Sequence, residues 1–242
     1  MIDTKGLFPV VIGCSGGSGS RALRDILEAS PKIFLDQECS PNSKDSKESK
    51  SFLELQEAAE EVRRPLVEAF LQFLLAQIPA GQESRYQYFG WKNPRNLHHI
   101  DLLLETHPEL RFLHLIRNPA AIAAGSLWKK GQKRAKQSGW FVPENNPELF
   151  LLVKWAHQNL PVWQKYQNHP RYRLARYEDL LTNGAATIHE LFAWLGVAEY
   201  DPDKALAALT PSADALTRGG EIDLSLIAEA VTALGYGARL AR

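Results

Sequence analysis

VVIGCSGGSGSRALRDIL, Val10 to Leu27, decides how the rest of this chain is read. With Pro9, its first part is a short, β-branched, apolar run that predicts a buried strand over Pro9–Cys14. Its last part places Leu23, Ile26 and Leu27 at helical spacing and predicts a helix over Arg21–Ala29, stopped before Pro31. Gly16, Gly17, Ser18, Gly19 and Ser20 lie between. Strand, glycine-rich turn, helix aims backbone N–H groups and the positive end of the helix dipole at one point. Glycines let an anion approach the backbone, and the two serines add hydroxyl donors. The stretch therefore reads as an anion loop, with a plain glycine-rich βα turn as the alternative. A G-x-x-x-x-G-K-[ST] phosphate loop carries Lys after its last glycine, but here Gly19 is followed by Ser20. The Mg-nucleotide reading is weakened, and a cation must come from elsewhere.

Working outward, IFLD (Ile33–Asp36) predicts a second short strand, followed by a polar Ser/Lys-rich loop over 37–51. Phe52 to Ile78 predicts two helices divided near Pro65, with Leu66–Leu75 apolar almost all round and hence buried. YQYFGWKNP predicts a strand ending near Lys92, and Arg95 to Thr106 a helix. LRFLHLIRNP predicts another buried strand and then a helix from about Ala120. Pro147 to Gln167 predicts a Trp-rich helix. RYRLARYEDL predicts a strand followed by a loop, Thr187 to Leu195 a helix, and 222–242 a last amphipathic helix. Strands alternating with helices predict a parallel α/β sheet covered on both faces, within a single domain spanning 1–242. Ligands of such sheets bind at the carboxyl ends of the strands. Attention therefore falls on Gly13–Arg21, Asp36–Cys39, Lys92, Arg117 and Tyr177.

Bulk composition narrows the partners. The chain has 242 residues, 45% apolar, with 28 basic and 28 acidic side chains, so no global field favours nucleic acid or membrane. Cys14 and Cys39 form neither a disulfide framework nor a zinc spacing, and they predict a reducing, cytoplasmic setting. Both read as small buried residues rather than nucleophiles. The N-terminal MIDTKGLFPVVIG holds Asp3 and only a short apolar run, unlike a signal peptide, and no stretch is long enough to span a bilayer. The seven histidines show no ligand spacing, so no metal is expected.

Ser18-Gly19-Ser20 resembles the 5′-phosphosulfate loop of sulfotransferases that use 3′-phosphoadenosine 5′-phosphosulfate (PAPS). That family places a basic residue before S-G-[ST]. Here Gly17 holds that position and Arg21 follows the motif, as in a GGSG[ST]R variant. FLHLIRNPAAIAAGSLWKK resembles the family's 3′-phosphate motif, through Arg117, Asn118 and Pro119. The motif's serine position holds Gly125, with Ser126 beside it, and Lys129 sits where some members carry a further basic residue. An arginine leaving a buried strand independently suits a phosphate, through its bidentate fork. Tyr177-Glu178-Asp179 is similar to a Y-E-D segment whose tyrosine lies near the adenine. Arg218 and Gly219 loosely match an R-x-G segment that closes over the 3′-phosphate.

The resemblance implies a three-layer fold like that of P-loop NTPases. It also implies sulfuryl transfer from PAPS to a hydroxyl acceptor by in-line displacement, leaving 3′-phosphoadenosine 5′-phosphate (PAP). Glu38 matches the glutamate that takes the acceptor proton in tyrosylprotein-sulfotransferase-like members, with Asp36 a nearby competitor. Lys92 in FGWKNP matches a K-x-P lysine that steadies the leaving oxygen, and Arg21 is a second candidate cation. Lys129, Lys130, Lys133, Arg134 and Lys136, with no acidic residue from Arg117 to Glu144, form either a solvated face or a wall attracting an acidic ligand. Trp140 is the candidate for the acceptor cleft. Tyrosyl peptide, carbohydrate and small alcohol remain open as acceptors. Two other readings stand beside this one: a P-loop kinase-like phosphotransferase, and a catalytically weak nucleotide-binding protein suggested by Gly17 and Gly125.

Overall fold

A computed structural model describes residues 6–36, 60–125, 147–209, 211, 215–216 and 219–237. Within them, five parallel strands form one sheet in the order β2-β3-β1-β4-β5. They are β1 (Phe8–Cys14), β2 (Ile33–Asp36), β3 (Tyr88–Lys92), β4 (Arg111–Ile116) and β5 (Tyr172–Arg176). The first strand is the middle one, pairing Val10 with Gly90 on one side and with Arg111 on the other. Its residues alternate between two cores. Val10, Ile12 and Cys14 pack with Leu23, Ile26 and Leu27 of α1 (Ser20–Leu27) and with Ile188 and Phe192 of α7 (Gly184–Leu195). Val11 packs on the opposite face with α2 (Glu60–Ala76) and α3 (Ile100–Thr106). This is the three-layer α/β arrangement expected from the alternation of strands and helices.

The order of the strands locates the crevice. After β1 the chain crosses by α1 to β2, beyond β3; after β4 it travels the other way, to β5. The chain ends leaving β1 and β4 thus diverge, and ligands of open α/β sheets sit where such connections part. Above that point α5 (Pro147–Tyr166) packs on α4 (Pro119–Ala123) and on the segment 224–236, which contains α9 (Ala228–Ala233). Asn118 starts α4 by accepting a hydrogen bond from Ala120 N at 2.9 Å, and Pro119 suits its first turn.

Several expectations need correction. The helix α2 runs through Pro65 instead of dividing there. Proline removes one backbone bond, but Val67, Leu71 and Leu74 are buried along one face and hold the helix in place. The same helix is not buried all round: Leu66 and Phe73 are exposed. The stretch 95–106 opens with a 3-10 segment, Pro94–His99, and becomes α-helical only from Ile100. After β5 there is no loop. Helix α6 (Tyr177–Thr182) begins at once, with Glu178 and Asp179 in its first turn, where carboxylates favour the helix dipole. A further short helix, α8 (Pro202–Ala207), was not anticipated, although Asp201 caps it and Pro202 opens it.

Candidate active site

The loop after β1 has the backbone that its glycines promised. Gly17 and Gly19 take φ of 91° and 89°, in the left-handed region that other residues resist. No side chain caps α1, so its first amides open onto the loop. A Cβ on Gly19 would lie 2.6 Å from the Tyr177 ring, so the loop is pressed against the residue that follows β5. Ser18 N donates to Ser15 O at 3.2 Å, closing the turn. Ser18 Oγ is buried and has no partner. Ser20 interacts with the Cys14 thiol, whose pKa burial pushes up to about 11, against the opposing effects of Ser20 and of the Lys92 charge. Cys14 is therefore a neutral packing residue at pH 7.

Three strand-end residues join this loop. Arg117, just beyond β4, donates weakly to Gly17 O at 3.4 Å and to Ala215 O at 3.5 Å. Its guanidinium carbon lies 4.7 Å from the centre of the Tyr177 ring, a cation–π distance. Its Nε is buried without a partner. Lys92 ends β3 and is buried, with its backbone paired to Ile12 of β1. Tyr177 is buried between the loop and Arg117. Arg21 is exposed in the first turn of α1, Gly16 has open space where a side chain would stand, and Gly125 lies half-buried after α4. Gly219 approaches α4 so closely that a Cβ would be 2.3 Å from Ala120 O, which brings Gly219 to the Arg117 turn. Glu38, Ser126, Lys129, Trp140 and Arg218 lie outside the described residues.

Unpartnered buried donors are rare because each forfeits its hydration. Ser18 Oγ and Arg117 Nε belong to two adjoining loops at the divergence of the sheet connections. That donor set fits an anionic ligand. The described residues hold no group of three or more His, Cys, Asp or Glu suited to a metal ion. Among them, no helix is long and apolar enough to cross a membrane.

The sequence reading missed the polar supports of the site. Glu178 is buried and accepts Asn118 N at 2.8 Å and Tyr236 Oη at 2.8 Å, tying the Arg117 turn to the segment after α9. Asn96, fully buried, accepts from Trp91 Nε1 at 3.0 Å and donates to Ile12 O at 2.9 Å, fixing the Lys92 segment against β1. An asparagine four residues after a strand-end lysine was a visible signal, since Asn is seldom buried without such work.

Residues 9–202 match the family described as the sulfotransferase family. The chain belongs to that family. It is 30% identical over 155 residues to mouse carbohydrate sulfotransferase 5, a match covering 58% of this chain and 38% of the mouse protein. The fold is similar to that of a sulfotransferase from Alicyclobacillus acidocaldarius, with a TM-score of 0.56 at 15% identity, covering 98% of this chain and 96% of that one. It is also similar to mouse sulfotransferase SULT7A1, solved in complex with PAP, with a TM-score of 0.53 at 13% identity, covering 93% and 76% of the two chains. The fold class expected from the sulfotransferase resemblance is thus borne out, as is the family itself.

Proposed function

We propose that this sulfotransferase, acting as one domain over 1–242, moves a sulfuryl group from PAPS to a hydroxyl acceptor. The reading rests chiefly on two of the three buried donors without a partner among the described residues, Ser18 Oγ and Arg117 Nε (the third is Trp155 Nε1), in loops joined by the Arg117–Gly17 contact. The amides and hydroxyls of Gly16, Gly17, Ser18, Gly19 and Ser20 would hold the 5′-phosphosulfate. Arg117, with Gly125, Ser126, Lys129 and Arg218, would hold the 3′-phosphate. Tyr177 supports both from beneath, on the adenine side. Lys92 and Arg21 would stabilise the oxygen of the breaking S–O bond, a task for fixed positive charge in a partly dry site. The acceptor oxygen bonds to sulfur as that S–O bond breaks; Glu38 receives the acceptor proton and PAP departs. This assignment asks for no metal. Carbohydrate alcohols are the first acceptors to assay, because the mouse relative is named a carbohydrate sulfotransferase.

Calorimetry with PAP, PAPS and Mg-ATP, followed by sulfate transfer to a panel of acceptors, tests the reading. We expect PAP and PAPS to bind more tightly than Mg-ATP, and Lys92→Ala and Glu38→Gln each to lower turnover by about a hundredfold. Tight Mg-ATP binding without a response to PAP would favour a phosphotransferase instead. PAPS binding with no transfer to any acceptor class would favour a binding protein. Full turnover by Glu38→Gln would remove Glu38 from the base role.

A further inference from the structure

A line of hydrogen bonds runs through the interior to the anion loop, and it joins Ser15 and His114 to residues that carry no family resemblance. Tyr172 Oη and His114 Nδ1 are 2.7 Å apart, and His114 Nε2 and Asn159 Oδ1 are 2.8 Å apart. Asn159 Nδ2 donates to Ser15 Oγ at 2.8 Å and to Trp155 O at 2.6 Å. Ser15 Oγ donates to Gln158 Oε1 at 3.2 Å, and Gln158 Nε2 lies 3.3 Å from His98 Nε2. Because the Asn159 amide nitrogen is occupied as a donor, Oδ1 is the acceptor, so His114 carries its proton on Nε2 and accepts from Tyr172 at Nδ1. Burial keeps the Tyr172 hydroxyl protonated and His114 neutral, consistent with that direction. Each member therefore donates to the next, from Tyr172 toward the surface at His98. Reversing the Asn159 amide would set its oxygen against the Trp155 carbonyl.

His114 and Asn159 are fully buried and Ser15 nearly so, where a polar group has no water to fall back on. The line meets the loop at Ser15, whose carbonyl accepts Ser18 N. Ser18 in turn carries a buried hydroxyl without a partner.

We propose that Asn159 and Gln158, on α5, are positioning residues that clamp the Ser15 side chain and so hold Ser18 in its anion-accepting place. Neither residue is assigned to the ligand. His114 anchors Asn159 by fixing which way its amide faces. The clamp also couples α5 to the loop after β1, two elements far apart in sequence. The ligand arm of the proposal rests on the sulfonucleotide reading; the loop arm does not.

Hydrogen–deuterium exchange and PAP calorimetry on full-length Asn159→Asp and Gln158→Leu test it, alongside the wild type. Asn159→Asp keeps an acceptor for His114 but replaces the donor to Ser15 and Trp155 O by a carboxylate oxygen, which draws the Ser15 hydroxyl away from Gln158. Gln158 is only half-buried, so its replacement should fold. One lost hydrogen bond corresponds to about a tenfold change. We expect the peptide over 15–20 to exchange about tenfold faster in both variants, the peptide over 111–116 to be unchanged, and the PAP dissociation constant to rise about tenfold. Unchanged loop exchange in both variants overturns the clamp. So does faster exchange spread equally over 111–116, which marks general loosening. If the wild type ignores PAP while the loop peptide responds as expected, the sulfonucleotide reading falls and the clamp stands.

Discussion

The guanidinium of Arg117 rests 4.7 Å from the centre of the Tyr177 ring. The same ring is so close to Gly19 that a Cβ there would stand 2.6 Å away. One aromatic side chain at the end of β5 thus supports the loop of β1 and the arginine of β4 together. We expect Tyr177→Phe to retain both contacts and stay within about 1 kcal/mol of the wild type. Tyr177→Ala should cost about 3 kcal/mol and weaken PAP binding at least about tenfold. Chemical denaturation and calorimetry on the pair check this. Equal PAP affinity in Tyr177→Ala and the wild type would remove the supporting role.

Gly19 allows a sharper comparison, because the fold contains a control. Gly19 and Gly81 both sit in the left-handed region, at φ of 89° and 80°. Added to Gly81, a Cβ meets nothing within 4 Å; added to Gly19, it meets the Tyr177 ring. Gly81→Ala should cost only the conformational penalty, about 1 to 2 kcal/mol, and leave PAP binding intact. Gly19→Ala adds a clash and should lower PAP affinity by at least about thirtyfold. Thermal melts with and without PAP separate the two effects.

These contrasts show what the sequence could and could not carry. Strand cores such as PVVIGC and RFLHLI are contiguous and β-branched or apolar, so hydrophobic pattern located all five strands to within a few residues. Candidate site residues could be picked out by their place at strand ends, Lys92 as the last residue of β3 and Arg117 and Tyr177 just beyond β4 and β5. Their mutual supports could not. That Tyr177 lies under Arg117, or that Glu178 bonds to Asn118, depends on β5 lying beside β4, a long-range pairing without a local signature. Pro65 misled for the related reason that tertiary burial of Val67 and Leu71 overrides a local helix breaker. Asn159 lies on an apolar helix face, and its oddity there was a signal only in retrospect.

His114 gives the fold a calculable response to acid. Burial pushes its imidazole from 6.5 down to about 4, with the Asn159 hydrogen bond opposing the shift. The unfolded chain therefore takes up a proton below about pH 6.5 that the folded chain refuses until about pH 4. Its contribution is complete above the first value and lost as pH falls toward the second, amounting to about 3 kcal/mol. His107 and His169, also lowered by burial, act in the same direction. Denaturant melts at pH 7, 5.5 and 4.5 should show the wild type losing stability more steeply than His114→Phe. Parallel pH slopes would mean that His114 is protonated in the folded state.

Glu178 holds the two ends of the site together, and its two oxygens do different jobs. Oε1 accepts the Asn118 amide, an N–H with no way to reverse, and Oε2 accepts the Tyr236 hydroxyl, which can rotate and accept instead. Glu178→Gln can place its oxygen toward Asn118 and its NH2 toward Tyr236, so it should lose only about 1 kcal/mol. Glu178→Ala removes the acceptor that Asn118 N and Tyr236 Oη share, and should lose roughly 3 kcal/mol. Because Asn118 adjoins Arg117, the alanine variant should also weaken PAP binding, whereas Tyr236→Phe, which leaves the Asn118 bond intact, should destabilise the fold with little effect on affinity. Denaturation and calorimetry on the three variants decide the matter. If Tyr236→Phe weakens PAP binding as much as Glu178→Ala does, the segment after α9, rather than the Asn118 bond, governs the Arg117 turn.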